Sequence, residues 1–170
     1  AIGCEFASLL NDLGSSVTLL EGLDEILPGC DKDVSTLVRR AFVKKGIDIH
    51  TGVQVDRHEE TSNKTIVSWS VGGENNQVEV DLIIISVGRE PNGQAAGLDG
   101  TEVVVDEKGF IEVDKRLQTK EKGVWAAGDV IDSPQLAHVG FAEGIFVVKE
   151  ILGESPVAID SSTVPWCIYC

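Results

Sequence analysis

Residues 1–22, AIGCEFASLLNDLGSSVTLLEG, decide the fold of this chain. Apolar side chains recur at helical spacing along residues 1–13, and Gly14 follows where a residue free to turn left-handed would end a helix. Residues 17–20 are a short apolar run typical of a buried strand, and Glu21 lies at its end. Helix, tight turn, strand and terminal acid predict the second half of a dinucleotide-binding βαβ unit. The predicted inward face of the helix comprises Ile2, Phe6, Leu9, Leu10 and Leu13.

In such a unit a pyrophosphate lies over the helix N-terminus, where unpaired N–H groups and the helix dipole favour anions. A carboxylate at the end of the next strand accepts hydrogen bonds from ribose hydroxyls, about 20 residues after the glycines. Gly3 and Glu21 have this separation. Glu21 would repel a 2′-phosphate, so the pattern predicts NAD rather than NADP. Only the third glycine of a G-x-G-x-x-G motif is represented, as Gly3, and a helix, strand and Glu also occur together in α/β proteins that bind no nucleotide.

The composition limits the classes of function. The 170 residues are 42% hydrophobic and 25% charged, as in ordinary soluble globular chains of one domain or two small ones. Asp and Glu number 28 against 14 Lys and Arg, a net charge of −14, which argues against nucleic acid or an anionic membrane as a partner. The chain contains no Met, so we expect it to be part of a longer polypeptide.

Four cysteines raise the question of redox or metal chemistry. Cys167 and Cys170 form a C-x-x-C pair, but redox chemistry of that kind requires the first Cys at a helix N-terminus, and residues 164–169 are β-prone. One pair also supplies too few ligands for zinc. We therefore expect these two cysteines to be strand residues and predict no metal site.

Further elements are predicted along the first half of the chain. Asp31 or Asp33 can cap a second helix that Gly46 ends, with a strand at 47–50 behind it. Alternating polarity over 53–59, 65–71 and 77–80 predicts an antiparallel meander of two or three strands. The continuous apolar run 82–87 predicts a strand covered on both faces that rejoins the parallel sheet.

The Gly- and Pro-rich residues 88–93 predict a domain boundary. A hairpin around 107–109 and an apolar strand at 124–127 follow, with Asp129 at the strand's end. A helix is expected over 138–152 and a strand over 164–170. The predicted inward face of that helix comprises Phe141, Ile145, Val148 and Leu152.

Two further positions suggest ligand chemistry. Gly88 directly follows the apolar run, and its missing side chain would let a flat ring or a ribose approach the backbone. Asp129 lies at the carboxyl end of a strand, where ligands of open α/β sheets bind. It has no cation nearby in sequence, so either a hydroxyl-rich ligand or a capping role in the next loop would suit it.

Six motifs together resemble a known family. In order they are AIGCE (1–5), ILPGCDKD (26–33), SVGREPN (86–92), AAGDV (126–130), QLAH (135–138) and VPWCIY (164–169). This order resembles the FAD-dependent pyridine nucleotide–disulfide oxidoreductases, and within them most of all the dihydrolipoyl dehydrogenase branch. The resemblance implies an α/β fold: a Rossmann-like NAD-binding domain, with a parallel sheet and an antiparallel meander, over 1–88. Part of the central, FAD-binding domain would follow over 89–157, and the first part of a dimerisation domain over 158–170.

The resemblance also implies residue roles. Ile2, Gly3 and Glu5 would begin the helix at the NAD phosphates, with Glu21 on the adenosine ribose and Val53 against the adenine. Gly88 would lie near the nicotinamide, and Asp129 would bond the ribitol chain of FAD. The isoalloxazine ring would lie along a run at the start of the last helix, comprising Gln135, Leu136, Ala137 and His138. For His138 a capping or solvent-facing role is equally open, and we do not assign it as a catalytic base.

Other parts of the family pattern are absent from this sequence. These are the first G-x-G-x-x-G, the redox-active C-x4-C pair and the acid–base His–Glu pair, so no residue here is assigned a catalytic role. The resemblance implies a homodimeric parent enzyme, cytoplasmic or in the mitochondrial matrix of a eukaryote, that oxidises dihydrolipoamide carried by a lipoyl domain through FAD to NAD. We expect the 170 residues alone to be inactive. The alternatives are a mercuric reductase-like enzyme or a soluble transhydrogenase, a non-catalytic NAD-binding module, and a redox protein acting through Cys167 and Cys170.

Overall fold

A computed structural model describes all 170 residues, which divide into two compact units. The first unit is Ala1–Val87 together with Cys167–Cys170, and the second is Gly88–Trp166. No helix in either unit has both the length and the apolar content to cross a membrane. The helices and strands are α1 (Ile2–Asp12), β1 (Thr18–Glu21), α2 (Lys32–Lys45), β2 (Asp48–Thr51), β3 (Gln54–Glu60), β4 (Thr65–Val71), β5 (Glu74–Val80) and α3 (Ala137–Ile151).

The first unit contains a β1–α2–β2 crossover, the connection that parallel strands require. Strands β1 and β2 pair in parallel, with Thr18 opposite Asp48 and Glu21 opposite Thr51. Asp31 begins α2 by accepting a hydrogen bond from the Asp33 N–H at 2.8 Å, so Asp31 and not Asp33 is the cap. Gly46 ends α2 in the left-handed conformation at φ 89°. The predicted helix and both flanking strands are confirmed.

An antiparallel sheet of three strands follows, in the order β3-β4-β5. The central strand β4 buries Val67 and Trp69 on one face. The turn at 72–73 is short, so β5 already begins at Glu74, three residues before the predicted position. The parallel sheet and the antiparallel meander together confirm the predicted α/β fold class.

The predicted inward face of α1 is wrong. Four of the five residues assigned inward are at least one third exposed and the fifth, Leu10, is only partly buried, whereas the buried residues are the small Cys4, Ala7 and Ser8. Apolar residues occur on more than one side of α1, so helical spacing alone could not decide which side packs. The small side chains let the helix backbone approach the core that Phe42 and Ile47 occupy. The exposed large residues are Ile2, Phe6 and Leu9 in α1 and Leu13 directly after it.

Residues 82–87 do not form the predicted strand. They have no regular secondary structure and no ladder partners, and Val87 is 95% exposed. Strands β1 and β2 pair only with each other, so this run has no strand beside it to supply hydrogen bonds. An apolar run indicates that a segment can be buried, but a strand also requires an adjacent strand that supplies its hydrogen-bond partners.

The second unit is built mainly from short antiparallel bridges. The predicted hairpin is confirmed by the Asp106 N–H bonding to the Phe110 carbonyl at 2.8 Å and by a bridge between Val105 and Ile111. Residues 124–127 pair with the chain near Gln118 through a single bridge, which is shorter than the predicted strand. Ile111, Ala126 and Ile131 form the small core of this unit.

The last helix, α3, begins and ends one residue before its predicted limits, but its predicted inward face is wrong. The four residues assigned inward are all more than half exposed, whereas Val139, Glu143 and Phe146 are buried. The buried set includes an acid because the Glu143 carboxylate has a hydrogen-bond partner inside the unit. The helical spacing of apolar residues takes only hydropathy into account, so it cannot predict that an acid is buried against a hydrogen-bond partner. The exposed residues are Phe141, Ile145, Val148 and Leu152.

The predicted strand over 164–170 is also wrong, and Cys167 and Cys170 are therefore not strand residues. This segment pairs with no strand, and Tyr169 is 82% exposed. Ile168 packs against the core of the first unit, so the final four residues belong to that unit. The assignment of 1–88, 89–157 and 158–170 to NAD, FAD and dimerisation domains stays a prediction.

Candidate functional site

The N-terminus of α1 packs closely against residues 82–87. A Cβ added to Gly3 would lie 2.7 Å from the Ser86 Oγ atom, which is closer than real Cβ atoms come. A hydrogen at this position therefore permits the observed approach. The third glycine of a dinucleotide-binding motif permits close helix–strand packing, but residues 82–87 form no strand, so this contact shows only that a side chain at position 3 would not fit. Ser86 was missed by sequence reasoning, although it begins the SVGREPN run.

Helix α1 begins without a side-chain cap, and so does α3. The Ala1 carbonyl accepts hydrogen bonds from Cys4 and Glu5, which leaves the Ile2 and Gly3 amides without an acceptor. At α3 the N-cap position is held by Leu136, whose side chain cannot accept a hydrogen bond. In contrast, α2 is capped by Asp31. The two uncapped helix N-termini are those at which the resemblance places cofactor groups, and free amides with the helix dipole attract negative charge.

Glu21 and Val53 are brought together at the carboxyl end of β1. The Val53 N–H donates to the Glu21 carbonyl at 3.1 Å, and the Val53 side chain is buried. The Glu21 Oε1 atom accepts a hydrogen bond from the Leu23 N–H at 3.0 Å, while Oε2 has no partner in the chain. Glu21 thus has one carboxylate oxygen held in place and one free to accept a further hydrogen bond.

Glu5, on the first turn of α1, contacts the end of the chain. Its Oε1 atom accepts a hydrogen bond from the Tyr169 N–H at 3.0 Å. The contact ties residues 167–170 to the helix start at which the NAD phosphates are expected. Sequence reasoning could not find it, because the two residues are 164 positions apart.

Asp129 lines a cavity of about 220 Å³ in the second unit, and Arg89, Asn92, Val130 and Gln135 are among the other lining residues. Its Oδ2 atom pairs with the Arg89 guanidinium at 2.6 Å. Asp129 has no cation nearby in sequence, but the fold supplies one, since Arg89 is 40 positions away along the chain. Both side chains are about half exposed, so the pair adds little stability and leaves the carboxylate available to hydroxyl donors. Arg89 was missed, although it lies in the quoted SVGREPN run.

The run at the start of α3 borders the same loop. The Gln135 Nε2 atom donates to the Asp129 carbonyl at 3.5 Å, at the limit of a hydrogen bond. The His138 Nε2 atom lies 3.0 Å from the Pro165 carbonyl oxygen and can donate to it. This ring is therefore held by the backbone, and the contact gives it no acid–base role. Leu136 and Ala137 form the N-cap and first residue of α3.

Gly88 is exposed, and a Cβ at this position would meet nothing within 4 Å. Packing within its own unit therefore does not demand a glycine, and its place near a nicotinamide stays a prediction.

All four cysteines are free. Burial raises the pKa of the Cys4 thiol to about 11, and burial followed by the Glu5 carboxylate raises the pKa of the Cys170 thiol. Reactive cysteines have lowered pKa values, so these two environments favour the inert thiol and give no support to a redox role for the C-x-x-C pair. No cluster of three or more His, Cys, Asp or Glu side chains is arranged to hold a metal ion.

The amino-acid sequence is similar to the sequences of known enzymes. The chain is 40% identical over 169 residues to a dihydrolipoyl dehydrogenase of Cupriavidus necator and 39% identical over 170 residues to one of Bacillus subtilis. Each alignment covers 99% of this chain but only 35% and 36% of those relatives, so the chain spans about a third of their length.

Solved structures of related proteins are also similar to this chain. The structure of LpdA from Mycobacterium tuberculosis matches with a TM-score of 0.84 and 26% identity, covering 96% of this chain and 35% of that one. The HOCl-induced flavoprotein disulfide reductase RclA from Escherichia coli matches with a TM-score of 0.82 and 32% identity, covering 92% and 35%. The family model of the pyridine nucleotide-disulphide oxidoreductases matches residues 1–144. This chain therefore belongs to the pyridine nucleotide-disulphide oxidoreductase family, a family of oxidoreductases.

Proposed function

We propose that this chain is the cofactor-binding middle part of a longer flavoenzyme, hereafter the parent polypeptide, that oxidises dihydrolipoamide and passes the electrons through FAD to NAD. The observation that carries the proposal is the position of Asp129, which lines a cavity beside the uncapped start of α3 in a chain that matches the family over residues 1–144. The names of the relatives from Cupriavidus necator and Bacillus subtilis support dihydrolipoamide as the substrate.

The first unit has the groups that an NAD molecule requires. The free Ile2 and Gly3 amides suit the pyrophosphate, and the close approach permitted by Gly3 fixes the helix N-terminus. The free Oε2 atom of Glu21 suits a ribose hydroxyl, and the buried Val53 supplies an apolar side chain next to it for adenine. The carboxylate disfavours a 2′-phosphate, so the preferred coenzyme is NAD.

The second unit has the groups that part of an FAD molecule requires. Asp129 would accept hydrogen bonds from the ribitol hydroxyls, and Arg89 would hold its carboxylate toward the cavity. The first amides of α3 would face the pyrimidine end of the flavin, where the dipole favours negative charge. The bound flavin supplies the hydride chemistry, and these residues supply its position and electrostatics.

The remaining parts of the reaction would come from outside this chain. The dithiol–disulfide exchange and its acid–base step require residues that this sequence does not contain. The 170-residue chain alone is therefore expected to form no NADH from dihydrolipoamide and NAD. The parent polypeptide would act as a homodimer in the cytoplasm, or in the mitochondrial matrix of a eukaryote, and would take dihydrolipoamide from a lipoyl domain.

The test is an NADH-formation assay on the FAD-loaded parent polypeptide with dihydrolipoamide and NAD. We expect activity in the wild type and a loss of FAD affinity of at least about tenfold in Asp129→Ala, because hydrogen bonds to a charged group each contribute about 1.5–3 kcal/mol. Asp132→Ala is the matched control: Asp132 is an exposed acid three residues away that makes no hydrogen bond within the chain. No lipoamide-dependent activity, or equal FAD affinity in both variants, would refute the proposal.

A second candidate is another NAD-linked flavoprotein disulfide reductase, which the match to RclA favours. The same preparation distinguishes the two: NADH oxidation with other disulfide acceptors, but none with lipoamide, would support this alternative. A mercuric reductase-like enzyme would instead reduce mercuric ion with NADH, and a soluble transhydrogenase would transfer hydride from NADH to a second nicotinamide coenzyme. A non-catalytic NAD-binding module would bind NADH in calorimetry and turn over none of these substrates.

A further inference from the structure

Glu143 is a buried acid that the proposed function does not use. Its side chain projects from the second turn of α3 and the residue is 3% exposed. No Lys, Arg or His nitrogen lies within 4.0 Å of its carboxylate. A buried carboxylate is unfavourable unless it is hydrogen-bonded, and the structure gives this one a single hydrogen bond within the chain.

That hydrogen bond joins α3 to the loop carrying Asp129. The Glu143 Oε2 atom accepts from the Gly128 N–H at 2.5 Å. Without this bond the Gly128 amide would lose its acceptor in a part-buried place, so the bond is costly to lose. Gly128 directly precedes Asp129, so the carboxylate of α3 fixes the peptide plane next to the proposed ribitol ligand.

Packing holds the same turn from a second direction. Gly128 is in the left-handed conformation, with φ 78°, and its backbone approaches Gly140 closely. A Cβ on Gly140 would lie 3.5 Å from the Gly128 Cα atom. Gly140 and Glu143 are three residues apart and lie on one face of α3. This face therefore contacts the turn at one point through its backbone and at another through a carboxylate.

We propose that Glu143 is a positioning residue of the flavin site, which fixes the Gly128–Asp129 turn so that the Asp129 carboxylate projects into the cavity it lines. The proposal rests on the proposed function, because it assumes that Asp129 binds FAD. It does not require Glu143 to touch the cofactor. What the site needs from residue 143 is an acceptor oxygen, and the negative charge is secondary.

The experiment compares three variants of the parent polypeptide. Glu143→Gln retains an acceptor oxygen, and Glu143→Leu fills a similar volume without one. Phe146→Leu is the control, because Phe146 is buried on the same helix and makes no side-chain hydrogen bond, so its change loosens the unit without touching the turn. FAD affinity of each apoprotein is measured by quenching of flavin fluorescence, well below the unfolding temperature.

We expect FAD affinity about tenfold weaker in Glu143→Leu, and within about threefold of wild type in Glu143→Gln and Phe146→Leu. Equal affinity in Glu143→Leu and wild type would overturn the proposal. So would an equal loss in Phe146→Leu, since the effect would then be general destabilisation, and so would a loss in Glu143→Gln as large as in Glu143→Leu.

A second measurement separates this proposal from the proposed function. Hydrogen exchange of the Gly128 amide should be at least about tenfold faster in Glu143→Leu than in Glu143→Gln, whether or not FAD binds. If the wild type binds no FAD, the proposed function fails, and slow exchange of the Gly128 amide would then support only its hydrogen bond to Glu143 and not a role in a flavin site. Fast exchange of this amide in the wild type would show that the hydrogen bond does not hold the turn, which would overturn the proposal.

Discussion

The close contact between Gly3 and Ser86 predicts how the two positions respond to substitution. In a helix Ala is more favourable than Gly by up to about 1 kcal/mol, so Gly3→Ala should stabilise the chain if there is room. There is not, because the new Cβ would lie 2.7 Å from the Ser86 Oγ atom. The Ser86 hydroxyl must move away, and displacing its χ1 angle by about 30° from a staggered rotamer costs about 0.5–1.5 kcal/mol. The two contributions nearly cancel, so Gly3→Ala alone should change stability by less than about 0.5 kcal/mol.

Ser86→Ala removes the obstructing atom. The Ser86 Cβ atom lies 3.7 Å from the added Cβ, an ordinary van der Waals contact. In the Ser86→Ala background, Gly3→Ala should therefore stabilise the chain by up to about 1 kcal/mol. The difference between the two backgrounds predicts a coupling energy of about 1 kcal/mol, within the range measured for residues in contact.

The assay is urea unfolding of the four proteins of this double-mutant cycle. Trp69 reports on the first unit, because it is buried in the central strand of the meander, and Trp125 and Trp166 are replaced by Phe in all four proteins. Additivity within about 0.3 kcal/mol would refute the reasoning, since it would mean that α1 does not approach residues 82–87 as closely as described. A stabilising Gly3→Ala with Ser86 intact would refute it equally.

Three further predictions follow from the first unit. Phe42→Ala should lower the free energy of unfolding by about 3–5 kcal/mol, because Phe42 is 2% exposed in the core. Leu37→Ala, on the exposed side of the same helix, should change it by less than about 0.5 kcal/mol. Urea unfolding measures both changes, and similar values would contradict the assigned core. Because burial raises the pKa of Cys4 to about 11, the unfolded chain loses this proton at lower pH than the folded one, so stability should fall between about pH 9 and pH 11 by at most about 1.4 kcal/mol per unit. Unfolding at several pH values should show this slope reduced in Cys4→Ala, and an unchanged slope would count against the buried thiol. Glu21→Arg in the parent polypeptide should shift the preference from NADH toward NADPH, because a guanidinium can pair with a 2′-phosphate; an unchanged ratio of the two kcat/KM values would contradict the role of Glu21.

The sequence determined the features that depend on neighbouring residues. Helix ends follow from local backbone chemistry, which is why Gly14 and Gly46 marked them correctly and Asp31 emerged as one of two candidate caps. The meander followed from its two-residue period and its Gly-Gly turn. The order of the six motifs was sufficient to identify the family, because each motif is itself a short run.

Tertiary structure decided every feature that depends on which surfaces meet. It placed the small side chains of α1 inward although the large ones are more hydrophobic, because close backbone approach needs small residues. It left residues 82–87 without a strand, because an apolar run cannot supply its own hydrogen-bonding neighbour. It joined Arg89 to Asp129 and Glu143 to Gly128, because contacts between distant residues leave no periodic signal in the chain.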